Sequence, residues 1–94
     1  MRLKNEEIEA AWAAFAQRFA ISLRTARDNA GLSQEDVAYR AGLTRYTYQK
    51  YEKGESRPGH PANPTLRTLL ALTQVLGVAL HDLIPNDAPD LRSR

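Results

Sequence analysis

Between Gln34 and Lys53 lie two stretches that can each wind only two or so helical turns, divided by Gly42. Isolated helices shorter than about 12 residues are marginal in water, so each must pack against the other and against something larger. Ser33 can cap the first, and Asp36, three residues on, sits where a capping-box acid belongs. Val37, Ala38 and Ala41 point inward, and Ala38 falls where a crossing helix needs close approach. Gly42 stands where the chain reverses, with a positive φ that glycine adopts cheaply. Leu43 follows, and Thr44 is the natural cap of a second helix running to about Lys53 and closed by Gly54. Tyr48 and Tyr51, three apart, define its buried side. A sharp angle between two such helices projects the second outward.

The rest of the chain reads as helical around this pair. Residues 5–30 hold neither proline nor glycine and predict one long helix ended by Gly31. Winding at about 100° per residue puts Ile8, Trp12, Phe15, Phe19, Leu23 and Ala26 on one stripe. Residues 55–64, with three prolines, read as a loop, and Asn63-Pro64 as the cap and first position of a fourth helix. That helix carries Leu66, Leu69, Leu70, Leu72 and Leu76 up to Gly77. A short fifth helix spans about Ala79 to Ile84 before Pro85, and no β-strand pattern is evident. The expected architecture is all-α with five helices and an extended first one. Residues 1–18 form an N-terminal helical extension, 19–84 the domain proper, and 85–94 a flexible tail.

The ordered series Leu23-x-x-x-Arg27, Gly31-Leu32-Ser33-Gln34-Glu35-x-Val37-Ala38, Ala41-Gly42-Leu43-Thr44, Tyr51-Glu52-Lys53-Gly54-Glu55, Asn63-Pro64-Thr65-Leu66 and Leu76-Gly77-Val78 resembles the phage repressor and Cro-like helix-turn-helix (XRE) family of bacterial transcriptional regulators. The resemblance spans about residues 19–84. It implies a repressor-like five-helix domain that binds operator DNA, usually as a dimer. It also implies a partly buried ion pair between Arg27 and Glu52, and a phosphate contact by Gln34. The chain departs from the family in its two inward tyrosines, its longer loop before the fourth helix, and Ala79 in place of a polar cap.

With Tyr48 and Tyr51 inward, the same winding turns Tyr46, Gln49 and Lys50 outward, with Arg45 at the flank. Lysine or arginine can donate to guanine, glutamine can pair with adenine, and tyrosine can pack on a thymine methyl; these four are the expected base readers. Gln34, Thr44, Thr47, Lys53 and Arg57 are the expected phosphate contacts, which position a protein without reading sequence. Ile8, Trp12 and Phe15 continue the apolar stripe beyond the helix length the family uses. Either a second subunit covers them or the helix bends and packs back on its own domain. Leu70 and Val75, with Ala71, form a second candidate dimer surface.

Composition closes off other classes. Ninety-four residues suffice for one domain and not for a deep catalytic cleft as well, so no enzyme is expected. No apolar run reaches the roughly 18 residues of a membrane span, and the first residues do not read as a secretory signal. The chain has no cysteine, which suits a reducing cytoplasm. His60 and His81 lie 21 residues apart with nothing to complete a metal site, and neither cofactor nor small-molecule substrate is expected. Net charge is only +2. Residues 33–57 hold five basic side chains (Arg40, Arg45, Lys50, Lys53, Arg57) against four acidic (Glu35, Asp36, Glu52, Glu55). The expected function is a dimeric, sequence-specific repressor of transcription acting on double-stranded DNA. Alternatives are an antitoxin that also binds a toxin partner, or a helical protein-interaction module without DNA binding.

Overall fold

A computed structural model describes residues 5–92. Its elements in order are α1 (Asn5–Ala30), α2 (Gln34–Arg40), α3 (Arg45–Glu52), β1 (Glu55–Arg57), β2 (His60–Pro61), α4 (Leu66–Leu76) and α5 (Leu80–Leu83). Glu6 and Glu7 in the first turn of α1 and Arg27 in its last complement the helix dipole. Phe15, Ala16, Phe19, Ala20, Leu23 and Ala26 are its buried face, and Gly31 ends it at φ 70°. The core joins Phe19 and Leu23 to Val37, Ala38, Tyr48, Leu72, Leu76 and Leu83.

The two central helices are set by their caps. Ser33 accepts from the Asp36 amide at 3.0 Å, and α2 buries Val37 and Ala38. Gly42 takes φ 74°, and the Leu43 amide reaches back to the Ala38 carbonyl at 2.8 Å, closing the turn as a left-handed glycine allows. Thr44 then accepts from the Thr47 amide at 3.0 Å to start α3. That helix ends at Glu52, with Lys53 as its C-cap. Tyr48 is wholly buried, whereas Tyr51 is only half-buried against the core.

Three expectations change. The stretch after Gly54 is a small antiparallel hairpin rather than a bare loop, with Glu55 opposite Pro61 and Arg57 opposite His60. Pro58-Gly59 makes its turn, Gly59 having φ 79°. The fold is therefore mostly helical with one two-stranded ribbon. Secondly, α4 begins two residues later than Asn63-Pro64 suggests, because Thr65 supplies the cap, accepting from the Thr68 amide at 3.1 Å. Thirdly, α1 runs unbroken, and the domain comes to it. Ala62, Pro64, Leu69 and Ile84 surround Trp12, Phe15 and Phe19 across a recess of about 120 Å³. Phe15, expected to face a partner, is only 5% exposed in its own chain; its ring stacks on Trp12 at 5.5 Å between centroids.

Two further ties hold the extension. Gln17 donates from Nε2 to the Lys53 carbonyl at 2.8 Å. Arg18 donates to the Asp87 carbonyl at 2.8 Å, so the irregular segment 85–92 is held to α1 at that point. Residues 1–4 of the expected extension and 93–94 of the expected tail lie outside the described residues. Among the described residues, no helix is long and apolar enough to cross a membrane, and no group of three His, Cys, Asp or Glu side chains could hold a metal ion.

Candidate nucleic-acid interface

The winding of α3 leaves two i, i+4 pairs on its outer side, Arg45 with Gln49 and Tyr46 with Lys50. Tyr46 is 62% exposed, and the Lys50 ammonium lies 4.1 Å from its ring centroid. A cation–π contact at an exposed site is worth about 0.5–1 kcal/mol, enough to favour one Lys50 rotamer. Arg45 stands 3.8 Å from the Glu35 carboxylate. Both are well exposed, so this pair adds little stability and leaves the guanidinium available.

Gln49 leans the other way. Its Nε2 donates to Gln34 Oε1 at 3.2 Å, and Gln34 Nε2 donates in turn to Glu52 Oε1 at 2.9 Å. Glu52 is 3% exposed and lies beneath. Arg27 grips it from α1 through Nε to Oε2 at 2.5 Å and through Nη2 to Oε1 at 3.1 Å. The Tyr48 hydroxyl donates to Oε2 at 2.5 Å. Burial pushes the Glu52 carboxyl upward, but the hydrogen bonds from Arg27, Tyr48 and Gln34 outweigh it and hold the group below its ordinary 4.5. Burial first, and then the bond to Glu52, raise the Tyr48 phenol far above its usual range. The hydroxyl that departs from the family's aliphatic position is thus satisfied by the charge one turn on.

The remaining expected phosphate contacts are placed less uniformly. Thr44 and Thr47 bond each other through their hydroxyls at 2.9 Å at the start of α3. Lys53 is exposed at its end, and Arg57 is exposed on β1, the strand that packs against α3. Sequence reasoning missed Arg24. It donates to the Glu52 carbonyl and, with Gln34, Gln49, Glu52 and Lys53, lines a shallow groove of about 310 Å³ between α1 and α3. The cue was its position three residues before Arg27, which puts both on one side of α1. With Glu52 neutralised by Arg27, two cationic groups dominate that groove, and it suits an anion.

A family model described as a helix-turn-helix domain matches residues 18–84. Among solved structures, the chain is similar to the restriction-modification controller protein C.AhdI from Aeromonas hydrophila, seen in a high-resolution crystal structure. The TM-score is 0.66 and the identity 32%, over 76% of this chain and 98% of that one. No curated protein matches.

Proposed function

The chain belongs to the helix-turn-helix domain family and is a DNA-binding transcriptional regulator; from that premise we propose that it reads duplex sequence with α3 in the major groove. The observation that carries this is the outer side of α3, where Arg45 and Tyr46 are exposed and Gln49 and Lys50 lie half-buried beside them. A helix about 10–12 Å across fits a groove about 12 Å wide. Arg45 and Lys50 donate to guanine, Gln49 pairs with adenine, and Tyr46 packs on a thymine methyl. Phosphates on either side are held by Gln34, Thr44, Thr47, Lys53 and Arg57, to which Arg24 is added.

A homodimer in the cytoplasm belongs to the same proposal. With Phe15 buried by its own chain, the surface favoured for the partner copy is α4. There Leu66 and Leu70, one turn apart, are 64% and 42% exposed. Val75 is half-buried against the core, and Ile8 and Trp12 are half-buried on α1. A twofold pair would read half-sites about one helical turn apart. Repression is proposed because seating α3 lays the body of the domain across the promoter. The likeness to a restriction-modification controller favours genes of that kind over a toxin partner.

Titrating a random duplex with salt tests the binding itself. Several phosphate contacts predict a steep fall, with a slope of about −0.9 per phosphate in log K against log salt. A flat response overturns the proposal and leaves the protein-interaction module standing. Selecting bound duplexes from a random pool, with and without Lys50→Ala, tests base reading. The preference should relax at one position in each half-site.

A further inference from the structure

We propose that the buried Tyr48–Glu52–Arg27 cluster sets which way round the Gln49 side-chain amide faces the groove, with Gln34 as the positioning residue between them. This rests on the DNA-binding reading above. A glutamine amide can normally turn over at little cost, exchanging its oxygen for its nitrogen. Here the exchange is blocked from inside. An ionised carboxylate only accepts, and it has about four acceptor sites. Arg27 Nε and the Tyr48 hydroxyl fill those on Oε2, while Arg27 Nη2 and Gln34 Nε2 fill those on Oε1.

Gln34 must therefore turn its nitrogen inward, leaving Oε1 outward as an acceptor. Only the nitrogen of Gln49 can answer it, as the 3.2 Å bond has it. What remains on Gln49 is one N–H and the whole of Oε1. That is the donor and acceptor set that pairs with N7 and N6 of adenine. A charge with 3% exposure thereby determines the polarity of a group two hydrogen bonds away. On this assignment the Gln34 amide orients a reader, rather than serving chiefly as a phosphate contact.

The test compares base preference in the wild type, Gln34→Met, Gln49→Met and the double variant, by competition among duplexes changed at one base pair. Gln34→Met keeps the side-chain length and leaves Arg27, Tyr48 and Glu52 in place. It should relax the same base pair as Gln49→Met, by on the order of tenfold. The double variant should relax that base pair no further than either single one, and preference at every other base pair should stay unchanged. Gln34→Met lowering affinity equally for every duplex, or leaving the preference intact, overturns the inference alone. Wild-type binding that is blind to sequence overturns it together with the reading beneath it. A second measurement needs no variant. In the free protein the side-chain amide protons of Gln34 and Gln49 should exchange more slowly than those of exposed Gln74; equal rates overturn the inference.

Discussion

Replacing Glu52 by alanine should weaken DNA binding by destabilising the domain rather than by removing a contact to the duplex. The carboxylate accepts from three side chains, two from α1 and α2 and one from its own helix. Deleting it leaves the Arg27 guanidinium, 17% exposed, with its bond to the Leu32 carbonyl and a 3.7 Å approach to Asp28. Breaking a buried pair from one side costs about 3–5 kcal/mol. The wholly buried Tyr48 hydroxyl loses its acceptor, which alone costs about 1–3 kcal/mol. The two losses share one site and do not add, so about 3–5 kcal/mol is expected in all. A domain of this length holds roughly 5–14 kcal/mol, and each kcal/mol moves the melting temperature by about 4–8 °C. Thermal unfolding followed by circular dichroism should therefore show Glu52→Ala melting at least about 12 °C below wild type. A variant that melts within a few degrees of wild type yet fails to bind DNA would falsify the reasoning, because Glu52 would then act at the interface.

Tyr48→Phe keeps the ring and removes one donor, so it should cost only about 1 kcal/mol by the same melting assay; a loss as large as that of Glu52→Ala would mean that the hydroxyl, not the ion pair, anchors the cluster. Because the Glu52 carboxyl titrates below its ordinary 4.5 when folded, its stabilisation is present above that value and is lost as pH falls toward the folded value. Melting temperature should drop through that acid range, and a flat profile there refutes the depressed titration. Arg24→Gln should reduce the salt slope of duplex binding by about one and leave base preference unchanged; an unchanged slope removes Arg24 from the interface. Leu66→Asp with Leu70→Asp should yield monomers in sedimentation, and an intact dimer would exclude α4 as the contact.

The helices were legible because their ends are chemical. Ser33 and Thr44 cap the two central helices, and Gly31, Gly42, Gly54 and Gly77 all take positive φ where segments close. The hairpin was not legible. Strands of three and two residues are too short to alternate, and only Pro58-Gly59 marks the turn. Asn63-Pro64 carried a good start signal and lost to Thr65, a choice between neighbouring caps that tertiary placement makes. For Phe15, periodicity correctly gave an apolar stripe, but no local pattern says what covers it. The outward residues of α3 follow from helical winding alone. Their partners do not: Gln49 meeting Gln34, and Arg24 meeting the end of α3, depend on how three helices cross.

The bond from Gln17 to the Lys53 carbonyl spans 36 residues, and its placement bears on the order in which the molecule assembles. Turns of α1 near Trp12 gain their cover only from segments beyond Gly54, whereas α2 and α3 meet across a short reversal. Loop closure over such a separation must precede any reward from the contact. The N-terminal half of α1 should thus be the last part to become protected from amide exchange during refolding and the first to open. A ligand clasped by the two central helices could stay in place while the far end of the long helix loosens.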